Sequence, residues 1–280
     1  MHELGIERLS VFGMPPPAFV RLAAGLDCRW VGLGLSRSSP YNPEGYPDWS
    51  LRDDAALRAE LRQAVRETGV GISLIEGFAV VPERNIRDYE ADLDIVAELG
   101  CARIAAVSVD KDLQRTIDGM AELARMAAER GLLVSAELGS LGPIPTVAAA
   151  LALVRGVDAA NFSLLFDTMH YFRLGNTIAQ LAEIASQEIG YVQLCDAPWT
   201  ARFDTYMEEA MYERLAPGDG ELPLQAFLDR LPPGVIVSLE IPMRALANQG
   251  MSPRDRLAPC VAAARAMLAR AAAHTPAAGR

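Results

Sequence analysis

The sequence predicts an α/β protein, a single (β/α)8 TIM barrel. Three observations lead there. Eight short β-rich runs alternate with longer helical patterns along the chain. Those runs are apolar on both faces, as in a parallel sheet covered on each side. And 280 residues is long for an ordinary domain but suits one closed barrel. An open dinucleotide-binding sheet would need a GxGxxG turn after an early strand, and GLGLSRSS at 32–39 does not supply one.

The strand candidates are 6–12 (IERLSVF), 30–35 (WVGLGL), 70–76 (VGISLIE), 103–109 (RIAAVSV), 132–138 (LLVSAEL), 162–167 (FSLLFD), 191–196 (YVQLCD) and 235–241 (VIVSLEI). Amphipathic or Ala-rich stretches at 53–69, 89–100 and 112–131 separate several of them, and Gly69, Gly100 and Gly131 read as helix C-caps. Internal repeats and low-complexity linkers are absent from the sequence. One domain over 1–280 is expected, with a disordered tail from about residue 270 (AAHTPAAGR at 272–280).

Composition excludes several classes. A net charge of −10 argues against nucleic acid, whose binding depends on a Lys/Arg surface that releases counterions. No apolar run approaches the ~18–20 residues of a membrane helix, and the start, MHELGIERLS, lacks the pattern of a secretory signal. A cytoplasmic protein without membrane partners is expected. Cys28, Cys101, Cys195 and Cys260 are scattered, with no CxxC, and read as reduced buried thiols. Lys111 is the only lysine, which makes Schiff-base chemistry a poor fit.

Active sites of such barrels lie at the C-terminal ends of the strands. Four successive candidate strands end in polar residues: Glu137 in VSAELG, Asp167 in LLFDTMH, Gln193 with Asp196 in VQLCD, and Glu240 in VSLEIP. Adjacent strands lie under ~5 Å apart, so these groups converge. Carboxylates sharing a buried space must be protonated, paired with arginines or bound to a cation. An oxygen-rich set suits Mg²⁺, Mn²⁺ or a similar divalent ion. Asp196 alternates away from Gln193 and reads as a cap for the next loop. His2 and His274 lie at the chain ends, so His170, three residues past Asp167, is the histidine placed for chemistry. Glu76 in LIEGF is a candidate for binding a substrate hydroxyl, and Trp199 with Phe203 for an apolar wall. The stretch SRSSPYNPEGYPDW at 36–49 reads as a long loop able to cover the site.

These segments (SAELG, FDTMH, VQLCDAP, RLAPGDGELPL and SLEIP) resemble the xylose-isomerase-like TIM barrels, the sugar phosphate isomerases and epimerases. The likeness runs along nearly the whole chain. It implies that Glu137, Asp167 and Glu240 hold a metal, that His170 faces substrate, and that Arg214, ahead of PGDG, binds a substrate oxygen or acid group. Gln193 stands where many members have histidine, and its carbonyl oxygen can still ligate a hard cation. The family's 3-dehydroshikimate dehydratases are similar in having Gln there.

The implied cofactor is one divalent ion, Mg²⁺ or Mn²⁺, with Co²⁺ or Zn²⁺ as alternatives. The implied chemistry is proton abstraction beside a metal-bound carbonyl through an enediolate, with Glu137 or Glu240 as base. The expected function is an isomerase or epimerase of a sugar, polyol or related hydroxy-carbonyl compound. A dehydratase, with His170 assisting departure of a hydroxyl, is the second expectation, and an inactive sugar-binding barrel the third. Endonuclease chemistry, which relatives of this barrel perform, fits poorly with one usable histidine and an acidic charge. Family barrels often pair, so a homodimer or larger homo-oligomer is compatible with the resemblance.

Overall fold

The computed structural model describes residues 2–37 and 40–274. Eight parallel strands close into a barrel in the order β1 to β8. They are β1 (Leu4–Glu7), β2 (Trp30–Gly34), β3 (Gly71–Val80), β4 (Arg103–Ser108), β5 (Leu133–Glu137), β6 (Phe162–Asp167), β7 (Ile189–Leu194) and β8 (Ile236–Leu239). Closure comes from β1 against β8, with Gly5 opposite Ser238 and Ile6 opposite Leu239.

Helices cover the outside: α1 (Pro16–Gly25), α2 (Ala55–Thr68), α3 (Glu90–Glu98), α4 (Leu113–Ala128), α5 (Val147–Val157) and α6 (Thr168–Arg173). Four more follow: α7 (Tyr206–Tyr212), α8 (Leu224–Leu228), α9 (Arg244–Asn248) and α10 (Pro253–His274). α10 continues past the point where a tail was expected; residues 275–280 lie outside the described residues.

Local chemistry sets these boundaries. Asp54 and Asp112 cap α2 and α4 by accepting the N–H of Leu57 and Arg115, both at 2.9 Å. Gly69, Gly100 and Gly131 terminate helical stretches with φ of 73°, 73° and 70°, a conformation that glycine adopts without a Cβ penalty. The strand periodicity places Leu74, Ala105, Leu165 and Tyr191 inside the barrel, while the alternate residues pack against the helices in the main core.

The first strand differs from expectation. It spans Leu4–Glu7, and Arg8–Val11 form a 3-10 turn. The apolar LSVF stretch serves a turn rather than a strand: the Ser10 hydroxyl donates to Leu239 O at 3.0 Å and accepts the Ile241 N–H at 2.8 Å. Phe12, at φ 43°, packs beneath the Arg256 guanidinium. Glu7 is therefore the last residue of the strand and Arg8 the first beyond it, rather than both lying in mid-strand. His2, at the chain end, is anchored, its Nδ1 lying 2.9 Å from Val235 O.

The described part of the loop after β2 folds back over α9 and α10. The Tyr41 hydroxyl donates to Asn248 Oδ1 at 2.7 Å, and buried Arg256 pairs with Glu44 at 2.8 Å. Its residues do not line the cavity at the C-terminal end of the barrel. Arg37, paired with Asp48, and Trp49 instead border a side pocket of about 20 Å³ that shares Arg8 and Leu9 with it.

Candidate active site

A cavity of about 300 Å³ opens at the C-terminal end of the barrel. Glu76, Glu137, His170, Arg214 and Glu240 border it, as do Phe78, Val107, Leu141, Ile144 and Met211. Pairing sets Asp167 directly opposite Gln193 on neighbouring strands. Asp167, Gln193, Arg214 and Glu240 are each 5% exposed or less.

Asp167 has two tasks. Its Oδ1 accepts the His170 N–H at 2.9 Å, capping α6, which leaves Oδ2 for Arg214. That explains an aspartate at the end of a buried strand with a histidine three residues on: the cap fixes where α6 begins, and thus where His170 stands. Burial pushes the Asp167 carboxyl up, yet the Arg214 guanidinium and His170 outweigh it and hold it below the usual range.

Arg214 lies between acids. Its Nη1 contacts Asp167 Oδ2 and lies 3.1 Å from Glu240 Oε2, and its Nε donates to Ala210 O at 2.9 Å. Pairing with arginine is one of the ways in which buried carboxylates are neutralised here. Arg8 does the same for Glu76 at 2.6 Å. The Gln193 amide nitrogen donates to Glu76 Oε1 at 2.9 Å and Glu240 Oε1 at 3.3 Å. Its carbonyl oxygen is buried without a partner among the described residues.

Glu137 lies 3.3 Å from His170 Nε2, and the other ring nitrogen lies 2.6 Å from the Tyr206 hydroxyl, with the two rings stacked. Burial, reinforced by Asp167 and Glu76, lifts Glu137 up to about 8. Burial lowers His170 to about 4, so the imidazole is neutral near pH 7. Glu240 is raised well above the usual carboxylate range, again by burial first, with Arg214 opposing.

The loop carrying Arg214 is organised by Asp196. This buried carboxylate accepts the N–H groups of Ala197, Gly218, Gly220 and Leu222 at 2.8, 2.9, 3.1 and 3.1 Å. A Cβ on Gly220 would fall 2.4 Å from its Oδ1, so that position has no room for a side chain. A second buried pair, Arg173 with Glu209 at 2.6 Å, joins α6 to α7.

Not every expected group meets the cavity. Trp199 is 59% exposed and leans on Phe172, because Arg173 holds its carbonyl at the rim, 2.8 Å away. Neither Trp199 nor Phe203 lines the cavity. Three groups were missed by the sequence reading. Arg8 and fully buried Glu7 were hidden by the misplaced end of the first strand. The Glu7 carboxylate accepts from Tyr191 at 2.7 Å, and burial raises it to about 8. Tyr206 lies in the connection after β7 and had no local signal at all.

As the side chains stand, no three His, Cys, Asp or Glu groups among the described residues are gathered around a metal position. Arg214 bridges Asp167 and Glu240 where a cation would compete for them. The donor set nevertheless fits a hard divalent ion: three carboxyl groups with one guanidinium between them, and a buried amide oxygen left unpartnered.

The model of the family described as xylose isomerase-like TIM barrel matches residues 20–266. The chain belongs to the xylose isomerase-like TIM barrel family. Among relatives of this barrel, a 3-dehydroshikimate dehydratase of Pseudomonas aeruginosa is 32% identical over 152 residues, 52% of this chain but only 24% of the relative. The chain thus matches about a quarter of that dehydratase's length. A putative hydroxypyruvate isomerase of Streptomyces coelicolor is 24% identical over 208 residues, covering 61% of this chain and 68% of the relative. The solved structure of the IOLI protein with a bound zinc atom has a TM-score of 0.73 at 17% identity, covering 96% of this chain and 97% of that one, a likeness of fold. The relatives are named as enzymes, an isomerase and a dehydratase. No helix among the described residues is long and apolar enough to cross a membrane.

Proposed function

We propose that this barrel is a divalent-metal-dependent isomerase or epimerase of a sugar, polyol or related hydroxy-carbonyl compound, acting by proton abstraction next to the carbonyl. One observation carries the reading: Glu137 and Glu240, two carboxyl groups raised by burial, border one small cavity, and Glu240 is bonded to Gln193, whose oxygen is buried without a partner among the described residues.

Glu137, Asp167, Gln193 and Glu240 would hold the ion, which supplies Lewis-acid polarisation of a substrate carbonyl. The chain's own residues do the rest. Of Glu137 and Glu240, one as carboxylate would take the proton α to the carbonyl and the other would act on the second face, once a bound cation had lowered their proton affinity. Neutral His170, held by Tyr206, can pass a proton to or from a substrate oxygen. Arg214, which borders the cavity, would offer donors to a developing oxyanion.

A second reading, a dehydratase, is favoured by Gln193 and by the dehydroshikimate dehydratase relative. There, His170 would protonate the departing hydroxyl after the same deprotonation.

Elemental analysis of purified protein and of Glu240→Gln tests the common core. About one divalent ion per chain, reduced in the variant, supports it; failure to bind Mn²⁺ or Mg²⁺ overturns it. Solvent deuterium uptake into hydroxy-ketones then separates the reactions, since an epimerase returns exchanged substrate and a dehydratase returns an enone.

A further inference from the structure

At the opposite end of the barrel a second cavity, of about 570 Å³, opens at the N-terminal mouth. Arg103, at the start of β4, points into it. Its Nη1 donates to the hydroxyls of Ser135 on β5 and Ser163 on β6, at 2.7 and 3.2 Å. Gly190 on β7 makes the space: a Cβ there would lie 2.0 Å from Ser163 Oγ and 2.6 Å from Arg103 Nη1. The serine hydroxyls, themselves 3.1 Å apart, fix one side of the guanidinium.

The other side is different. Arg103 Nε and Nη2 hydrogen-bond no described residue, and no described carboxylate pairs with the group. No Asp or Glu among the described residues lines the cavity, in a chain of net charge −10. Glu188, adjacent in sequence to the lining residue Gln187, is already engaged by Arg155 at 3.0 Å and by the Ala185 N–H at 2.8 Å. Burial without an acidic partner pulls the Arg103 proton affinity down, the reverse of what Arg8 and Arg214 experience. A guanidinium anchored through one nitrogen at the wall of this cavity, with Nε and Nη2 unpaired among the described residues, has the donors that grip two oxygens of a planar or tetrahedral anion.

We propose that the N-terminal mouth of this barrel is a binding site for a small oxyanion, a phosphate or carboxylate group, held by the Nε–Nη2 edge of Arg103 with the Ser163 hydroxyl beside it. This site is independent of the chemistry proposed at the other end, and its failure leaves that reading untouched.

Calorimetric titration with inorganic phosphate, and separately with acetate, at ionic strength held constant with NaCl, tests it. Wild type is expected to bind one anion per chain at millimolar concentration. Arg103→Gln, which keeps a donor for the serines, should bind about tenfold or more weakly. Ser163→Ala provides a second, milder variant should Arg103→Gln fail to fold, and should bind a few-fold more weakly. Arg125→Gln, on the exposed face of α4, should bind as wild type does. Phosphate binding without acetate assigns a phosphate-bearing ligand, and the converse a carboxylate. No binding of either anion, undiminished binding in Arg103→Gln or Ser163→Ala, or loss in Arg125→Gln would overturn the proposal.

Discussion

Replacing Arg214 with methionine keeps an unbranched side chain of similar reach but removes the guanidinium that contacts both Asp167 and Glu240. Both carboxyls and the arginine are almost wholly buried, so solvent cannot make up the loss. Breaking one side of a buried ion pair costs about 3–5 kcal/mol. With an unfolding entropy of about 2.1 cal/mol/K per residue, 280 residues give about 0.6 kcal/mol/K, so Tm should fall by roughly 5–8 °C.

The assay is thermal unfolding followed by circular dichroism, in chelator and then with Mn²⁺. Because Arg214 and a cation neutralise the same acids, Mn²⁺ should raise the variant's Tm more than the wild type's. The loss should also shrink in acid. Burial opposes ionisation of Asp167 but Arg214 wins, so its carboxyl sits below its ordinary 3.8. The stability from that shift is present above 3.8 and disappears as pH falls through the lower folded value. A variant whose Tm stays within about 2 °C of wild type would refute the role assigned to Arg214, and equal Mn²⁺ shifts in both proteins would refute the competition.

Three further outcomes follow from the same geometry. Glu137, raised to about 8 by burial, contributes stability below its ordinary 4.5 that is lost as pH rises through 8; in chelator, Glu137→Gln should therefore match wild type near pH 4.5 and unfold at higher temperature than wild type at pH 8. Asp196→Ala strands four backbone N–H groups and should cost about 2–4 kcal/mol, read by denaturant unfolding, with faster amide exchange at Gly218, Gly220 and Leu222. Tyr206→Phe keeps the stack on His170 but loses the hydroxyl, and should lower the rate of solvent exchange into substrate about tenfold with Tm nearly unchanged.

The alternation of apolar strands with helices determined the barrel, because a strand apolar on both faces can only lie between two other layers. The polar residues that interrupt those strands at their C-terminal ends were equally legible: Glu137, Asp167, Gln193 and Glu240 break an otherwise apolar pattern, and closure of the sheet brings them together. Asp196 was readable as a loop cap from strand parity alone. Other features were decided by contacts between distant segments. Glu7 and Arg8 became site neighbours because Ser10 hydrogen-bonds beyond the end of β8 and stops the first strand early. Tyr206 reaches His170 through the path of a connection whose sequence has no period. Arg214 sits between Asp167 and Glu240, an arrangement set by Asp196 gathering backbone amides from a loop more than twenty residues away. Periodicity records which face of an element is buried; which charges then meet is fixed by the packing of segments far apart in the chain.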